Sequence, residues 1–164
     1  MTVAMKRALK VADEVWIVAA LLHKENPSRV DFTVGEIMER ARQETAAGDL
    51  RAGVYVHVVQ HCVANRPPNP GRYRMLVETG KNKRRLFRPG DPYHSDREGG
   101  KSQPSKDDIP SRYHGLIDWY NSEYASRPLR AEEDPLLALR GSGKKIWANE
   151  HADEYVRRLR GGWE

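Results

Sequence analysis

One segment near the amino terminus restricts the fold more than any other, because it reads as a helix that is apolar almost all the way round. Val11, Val15, Val18, Ala19 and Leu22 share one helical face, while Trp16, Ile17 and Leu21 cover its flanks. Such a helix cannot lie on a surface, so the rest of the domain has to be built around it. Asn26-Pro27 ends it. The chain has 164 residues, 38% of them hydrophobic, and a mean hydropathy of -0.79, which limits it to one ordinary domain or a smaller domain with a functional tail. The longest apolar run, Val15 to Leu22, is far below the roughly 20 residues of a bilayer span. The first residues lack the apolar core of a signal peptide, so the expectation is a cytoplasmic protein with no membrane partner. One cysteine, Cys62, excludes an intramolecular disulfide and a multi-cysteine zinc site.

Around this helix the pattern predicts a mainly α domain with a small β-hairpin. A short extended piece, Val30-Asp31-Phe32, leads to Thr33, which with Glu36 forms a T-x-x-E capping box. The helix that follows is amphipathic, with Val34, Ile37, Met38, Ala41 and Thr45 on one face. A third helix is expected from about Ala52 to Asn65, where Arg66-Pro67-Pro68 stops it. Val54, Tyr55, Val58, Val59, Cys62 and Val63 gather on its inner face, which leaves His57, Gln60 and His61 as a polar outer stripe. Two short runs, 72–78 and 83–88, flank Thr79-Gly80-Lys81-Asn82 and read as a hairpin; a four-residue loop and a three-residue loop with a bulge both suit its tip. Residues 89–110 hold four prolines, three glycines and no apolar run, the composition of a loop with scope for mobility. A last helix capped by Ser111 carries Tyr113, Leu116, Ile117, Tyr120 and Tyr124 on its core face, with Trp119 at the margin.

Charge is unevenly distributed. Net charge is +5, yet residues 66–88 alone hold eight basic side chains against one acidic, the pattern of a surface that meets phosphate. Arg72, Arg74, Lys81, Lys83, Arg84 and Arg85 are the candidate phosphate contacts. Two other motifs lack the residue their chemistry requires. His57 and His61 have the i, i+4 spacing of a helical metal site, but Val58 stands where a zinc protease needs its glutamate, and no third ligand follows. Gly143-Lys144-Lys145 ends like a phosphate-binding loop, but Ala138 replaces the first glycine and Lys145 the magnesium-binding hydroxyl. Nothing in the sequence argues for an enzyme, a metal or a cofactor.

Three helices, an outward His57/Gln60/His61 stripe, a basic hairpin and a closing helix follow the order of a winged helix-turn-helix. A helix fits the major groove, its amides and imidazoles can bond base edges, and basic side chains on the wing neutralise phosphates. The run 13–124 also resembles an uncharacterised bacterial winged-helix family through DFTVGEI, the H-x-x-x-H-C-V-A-N segment at His57 to Asn65, and GLIDWY. That resemblance implies a DNA-binding-like fold for residues 1–124, with 125–133 as a linker.

Residues 134–164 form an extended, partly helical tail of small apolar islands that cannot close a core alone. With DPLLALRG, GKKIW, DEYVRRLR and a final tryptophan, the tail resembles the toxin-binding segment of VapB-type antitoxins. In that family the segment wraps a PIN-domain ribonuclease and sends basic side chains to its acidic, magnesium-binding site. The resemblance implies toxin contacts from Leu136, Leu139, Trp147, Tyr155, Arg157, Arg158, Leu159, Arg160 and Trp163. The expected function is therefore the antitoxin of a type II toxin–antitoxin pair, a transcription regulator whose partners are double-stranded DNA and a PIN-domain toxin protein, with a homodimer left open. The alternative is a stand-alone winged-helix nucleic-acid-binding protein, either a transcriptional regulator or a nuclease accessory subunit.

Overall fold

The structure of the chain, a computed structural model, describes residues 8–127 and 152–161. It divides into two compact units, residues 1–127 and 128–164. The first is helix-rich with a small three-stranded antiparallel sheet.

Helix α1 (Val11–Glu25) is the centre of that unit, as its all-round apolarity requires: every residue from Ala12 to Ala20 is buried. This includes two carboxylates of its first turn, and each has a cation. Asp13 takes Lys101 at 2.8 Å and Glu14 takes Arg51 at 3.0 Å. Asn26 closes the helix through its backbone N–H and its side-chain amide, both donating to the Leu22 carbonyl. Strand β1 is only Phe32–Thr33, and α2 (Val34–Glu44) begins with the complete capping box. The Glu36 N–H donates to the Thr33 hydroxyl, and the Thr33 N–H to the Glu36 carboxylate. Arg29 grips that carboxylate from outside, and together these bonds hold its pKa down to about 2. Ile37, Met38 and Ala41 face α1.

Strands β2 (Leu76–Gly80) and β3 (Lys83–Leu86) form the hairpin, and β1 joins on the far side of β3, so the order is β1-β3-β2 with every pair antiparallel. Phe32 lies opposite Arg84, and Leu76 opposite Leu86. The register shifts between Glu78 and Gly80, the bulged of the two hairpins open to the sequence, and Asn82 turns the tip at a φ of 57°.

Three expectations about the elements are corrected. The third helix is not regular over 52–65: α3 is α-helical only at Val54–Val56, continues as a π-helical turn over His57–His61, and then gives way to a parallel bridge between Val63 and Leu76. Cys62 supplies the reason, because its carbonyl accepts the N–H groups of Met75 and Leu76, so the segment is spent on the sheet edge before a further turn can form. Residues 89–110 are not a loose loop. They form short 3₁₀ turns at Ser95–Arg97 and Lys106–Asp108, and they are tied down by Arg97 and Lys101. Ser111 makes no capping bond: it opens a 3₁₀ turn that leads into α4 (His114–Trp119), itself extended by a π-helical turn at Tyr120–Tyr124.

The aromatic stripe does belong to the core. Tyr120 packs edge-on against Trp16 at 5.6 Å, its hydroxyl donates to the Phe87 carbonyl, and Tyr124 donates to the Leu86 carbonyl at 3.1 Å. Trp119 is buried with them rather than marginal. In the second unit, α5 spans Ala152–Gly161. No helix among the described residues is long and apolar enough to cross a membrane.

Candidate nucleic-acid interface

Gly53 opens α3 at a φ of +88°, a left-handed conformation that glycine adopts at little cost. Val54, Val58 and Cys62 then point inward, and burial pushes the Cys62 thiol pKa up. The outward side differs from the expected stripe. Tyr55 and Val56 are 59% and 38% exposed and, with Val156, are the large apolar side chains left exposed among the described residues. Tyr55 sits one residue past Val54 on a helix too short to bring neighbours up to cover it.

The three expected base readers are partly engaged elsewhere. The Nδ1 atom of His57 lies 2.8 Å from the Gly53 carbonyl, and its ring meets His61 edge-on at 4.9 Å. Gln60 donates its amide to the Pro67 carbonyl at 2.6 Å. His61 is half-buried, its Nδ1 has no hydrogen-bond partner, and desolvation together with the adjacent His57 lowers its pKa. Among the described residues no group of three metal-ligating side chains surrounds this pair.

The basic stretch divides into an inner and an outer set. Arg84 and Arg85, expected at phosphate, are 2% and 4% exposed. Arg85 makes a two-toothed ion pair with Asp91, both contacts at 2.7 Å. Arg84 donates to the carbonyls of Val58 and Lys83, near Glu78 at 3.5 Å, and burial lowers its pKa. Arg74 lies over the Tyr93 ring at 4.4 Å and donates to the Gly100 carbonyl. Arg72, Lys81 and Lys83 remain exposed, with Lys83 3.8 Å from Asp31.

Sequence reasoning missed Arg97. Its side chain is fully buried and reaches carbonyl oxygens of Gln60, His61, Arg66, Pro67, Gly71 and Tyr73. With Arg84 on Val58, two guanidiniums close the carbonyl end of the α3 turn, where unpaired C=O groups concentrate negative partial charge. A lone arginine in a proline- and glycine-rich stretch gives no periodic signal from which this role could be read. Gly100 completes the seat, since a Cβ there would stand 1.8 Å from the Arg72 carbonyl.

In the second unit, Arg157, Arg158 and Arg160 are exposed on α5. The expectations for Leu136, Leu139, Trp147 and Trp163, and for the side chains of Tyr155 and Leu159, lie outside the described residues.

The chain has no match among protein-family models, curated proteins or solved structures.

Proposed function

We propose that residues 8–127 form a winged-helix domain that binds double-stranded DNA, and that the tail neutralises a PIN-domain ribonuclease, so that the chain acts as an antitoxin. The observation that carries this reading is the order of elements and strands. A short strand between α1 and α2 pairs with the second strand of a hairpin that directly follows α3, giving α1-β1-α2-α3-β2-β3-α4 with sheet order β1-β3-β2. A winged helix of this element order uses a helix for groove insertion and a hairpin for flanking phosphate contact. Exposed Arg72, Lys81 and Lys83 supply the phosphate contacts, and Tyr55 and Val56 present an apolar tip suited to thymine methyl groups. The tail reading draws on the VapB-like sequence and on the exposed arginines of α5, which suit pairing with a carboxylate cluster.

The test is co-expression with the product of the neighbouring reading frame. The full chain should rescue growth and a chain ending at Tyr124 should not; rescue by the shortened chain would end the antitoxin reading.

Exposed Tyr55 and Val56 also favour a second reading, in which α3 docks on a protein and the chain is a nuclease accessory subunit. Salt-independent failure to bind duplex DNA would select it.

A further inference from the structure

The outward side of the α3 turn carries the polar side chains of Tyr55, His57, Gln60 and His61, and the main chain around them fixes what two of them can do. A carbonyl oxygen only accepts, so the atom that meets it must bring the hydrogen. The Nδ1 atom of His57 stands 2.8 Å from the Gly53 carbonyl, which makes Nδ1 the hydrogen-bearing nitrogen of the uncharged ring and leaves the lone pair on Nε2. Gln60 meets the Pro67 carbonyl at 2.6 Å through its amide nitrogen, which orients the carboxamide and leaves Oε1 as an acceptor. Both bonds lie at the surface, and no hydrogen bond among the described residues engages Nε2 or Oε1. His61 differs: its Nδ1 is buried and its ring bonds the Asn69 backbone. Tyr55 has a hydroxyl that can donate or accept, and with Val56 it forms the exposed apolar tip.

Two oriented acceptors beside an apolar tip select among base edges. Guanine shows only acceptors, N7 and O6, in the major groove and would leave Nε2 and Oε1 without a donor. The donors of that groove are the amines, adenine N6 and cytosine N4, and only the A·T pair adds a methyl group to its amine.

We propose that His57 Nε2 and Gln60 Oε1 accept hydrogen bonds from adenine N6 amines of an A·T-rich site in the major groove, with Tyr55 and Val56 on the thymine methyls. This specificity rests on the DNA reading above.

The full chain is first titrated with a randomised duplex library at low and moderate salt, and the duplexes it retains are sequenced. Salt-dependent binding with enrichment of A·T pairs is expected. In the enriched duplex, 2-aminopurine in place of adenine still pairs with thymine but carries its amine in the minor groove. It should weaken binding about tenfold at each adenine contacted, and uracil in place of thymine about fourfold. His57→Phe keeps a ring but removes the acceptor, so it should erase the 2-aminopurine penalty at one adenine and leave it at another. Absence of salt-dependent duplex binding removes the DNA reading and this specificity with it. Salt-dependent binding without A·T enrichment, or without a 2-aminopurine penalty, overturns the specificity and leaves the DNA reading standing; both results come from the unaltered chain and hold whether or not His57→Phe folds. A folded His57→Phe chain that keeps every penalty overturns the role of His57.

Discussion

The side-chain amide of Asn65 is paired with the main chain of Glu78 as a neighbouring strand would be: Nδ2 donates to the Glu78 carbonyl at 2.9 Å, and Oδ1 accepts its N–H at 2.9 Å. Arg66, the next residue, clasps the Glu78 carboxylate through two nitrogens at 2.7 and 2.8 Å. One residue thus blocks the open edge of β2 where another chain could add. Asn65→Ala leaves both main-chain groups without these partners and should cost about 1–3 kcal/mol, read as a lower denaturant midpoint at unchanged m-value. Asn65→Asp keeps only the acceptor and should fall between the two.

Arg97 should be among the least replaceable residues of the domain. Arg97→Lys keeps the charge but cannot span six carbonyls, and a loss of at least about 3 kcal/mol is expected in chemical denaturation. Gly100→Ala should be comparably severe, because the obstruction is backbone rather than a movable side chain.

Acid should destabilise the domain from near neutrality. His23 is buried between Phe32 and Tyr124, its Nε2 accepts the Leu86 N–H at 3.2 Å, and burial together with Arg88 and Arg85 lowers its pKa to about 3. The unfolded chain binds this proton near pH 6.5 and the folded chain only near 3. Stability is therefore fully present above pH 6.5 and falls by about 1.4 kcal/mol per pH unit below it, until the folded state also takes up the proton. His23→Gln preserves an acceptor without titrating and should flatten the slope between pH 6.5 and 5.

For duplex DNA, Arg72, Lys81 and Lys83 should give a log–log salt slope of about −3 per chain. Replacing any one of them should reduce that slope by about one, as measured by fluorescence anisotropy. Arg85→Gln should instead lower Tm, because it strands Asp91 in the interior. A salt slope that Lys81→Ala leaves unchanged would remove the hairpin tip from the interface.

What the sequence reveals and conceals follows from how local each signal is. The α1 core, the Thr33–Glu36 box and the tyrosine stripe depend on spacings of three, four and seven residues, and all appear in place. Side chains that act across long separations were unreadable. Arg84 and Arg85 counted as surface charge because composition cannot show that Val58 and Asp91 wait for them inside. The 100° periodicity that puts Tyr55 on the core face holds for a long α-helix, whereas α3 spends its second turn in π geometry. The inner arginines also change the meaning of the charge run, since much of what resembles a phosphate-binding strip is internal bracing.

The guanidinium that closes the α3 turn reaches it across 36 and 37 residues of chain, from beyond both strands of the hairpin. During synthesis, a nascent chain with everything through β3 outside the ribosome still lacks that closure, and also lacks the tyrosines that receive α1. Such a fragment has its helices and strands but no finished interior, so the smallest autonomous folding unit extends through α4 and its terminal tyrosine. A stall that leaves the emerged chain ending between residues 88 and 97 would hold this protein with its interior unfinished and exposed to aggregation.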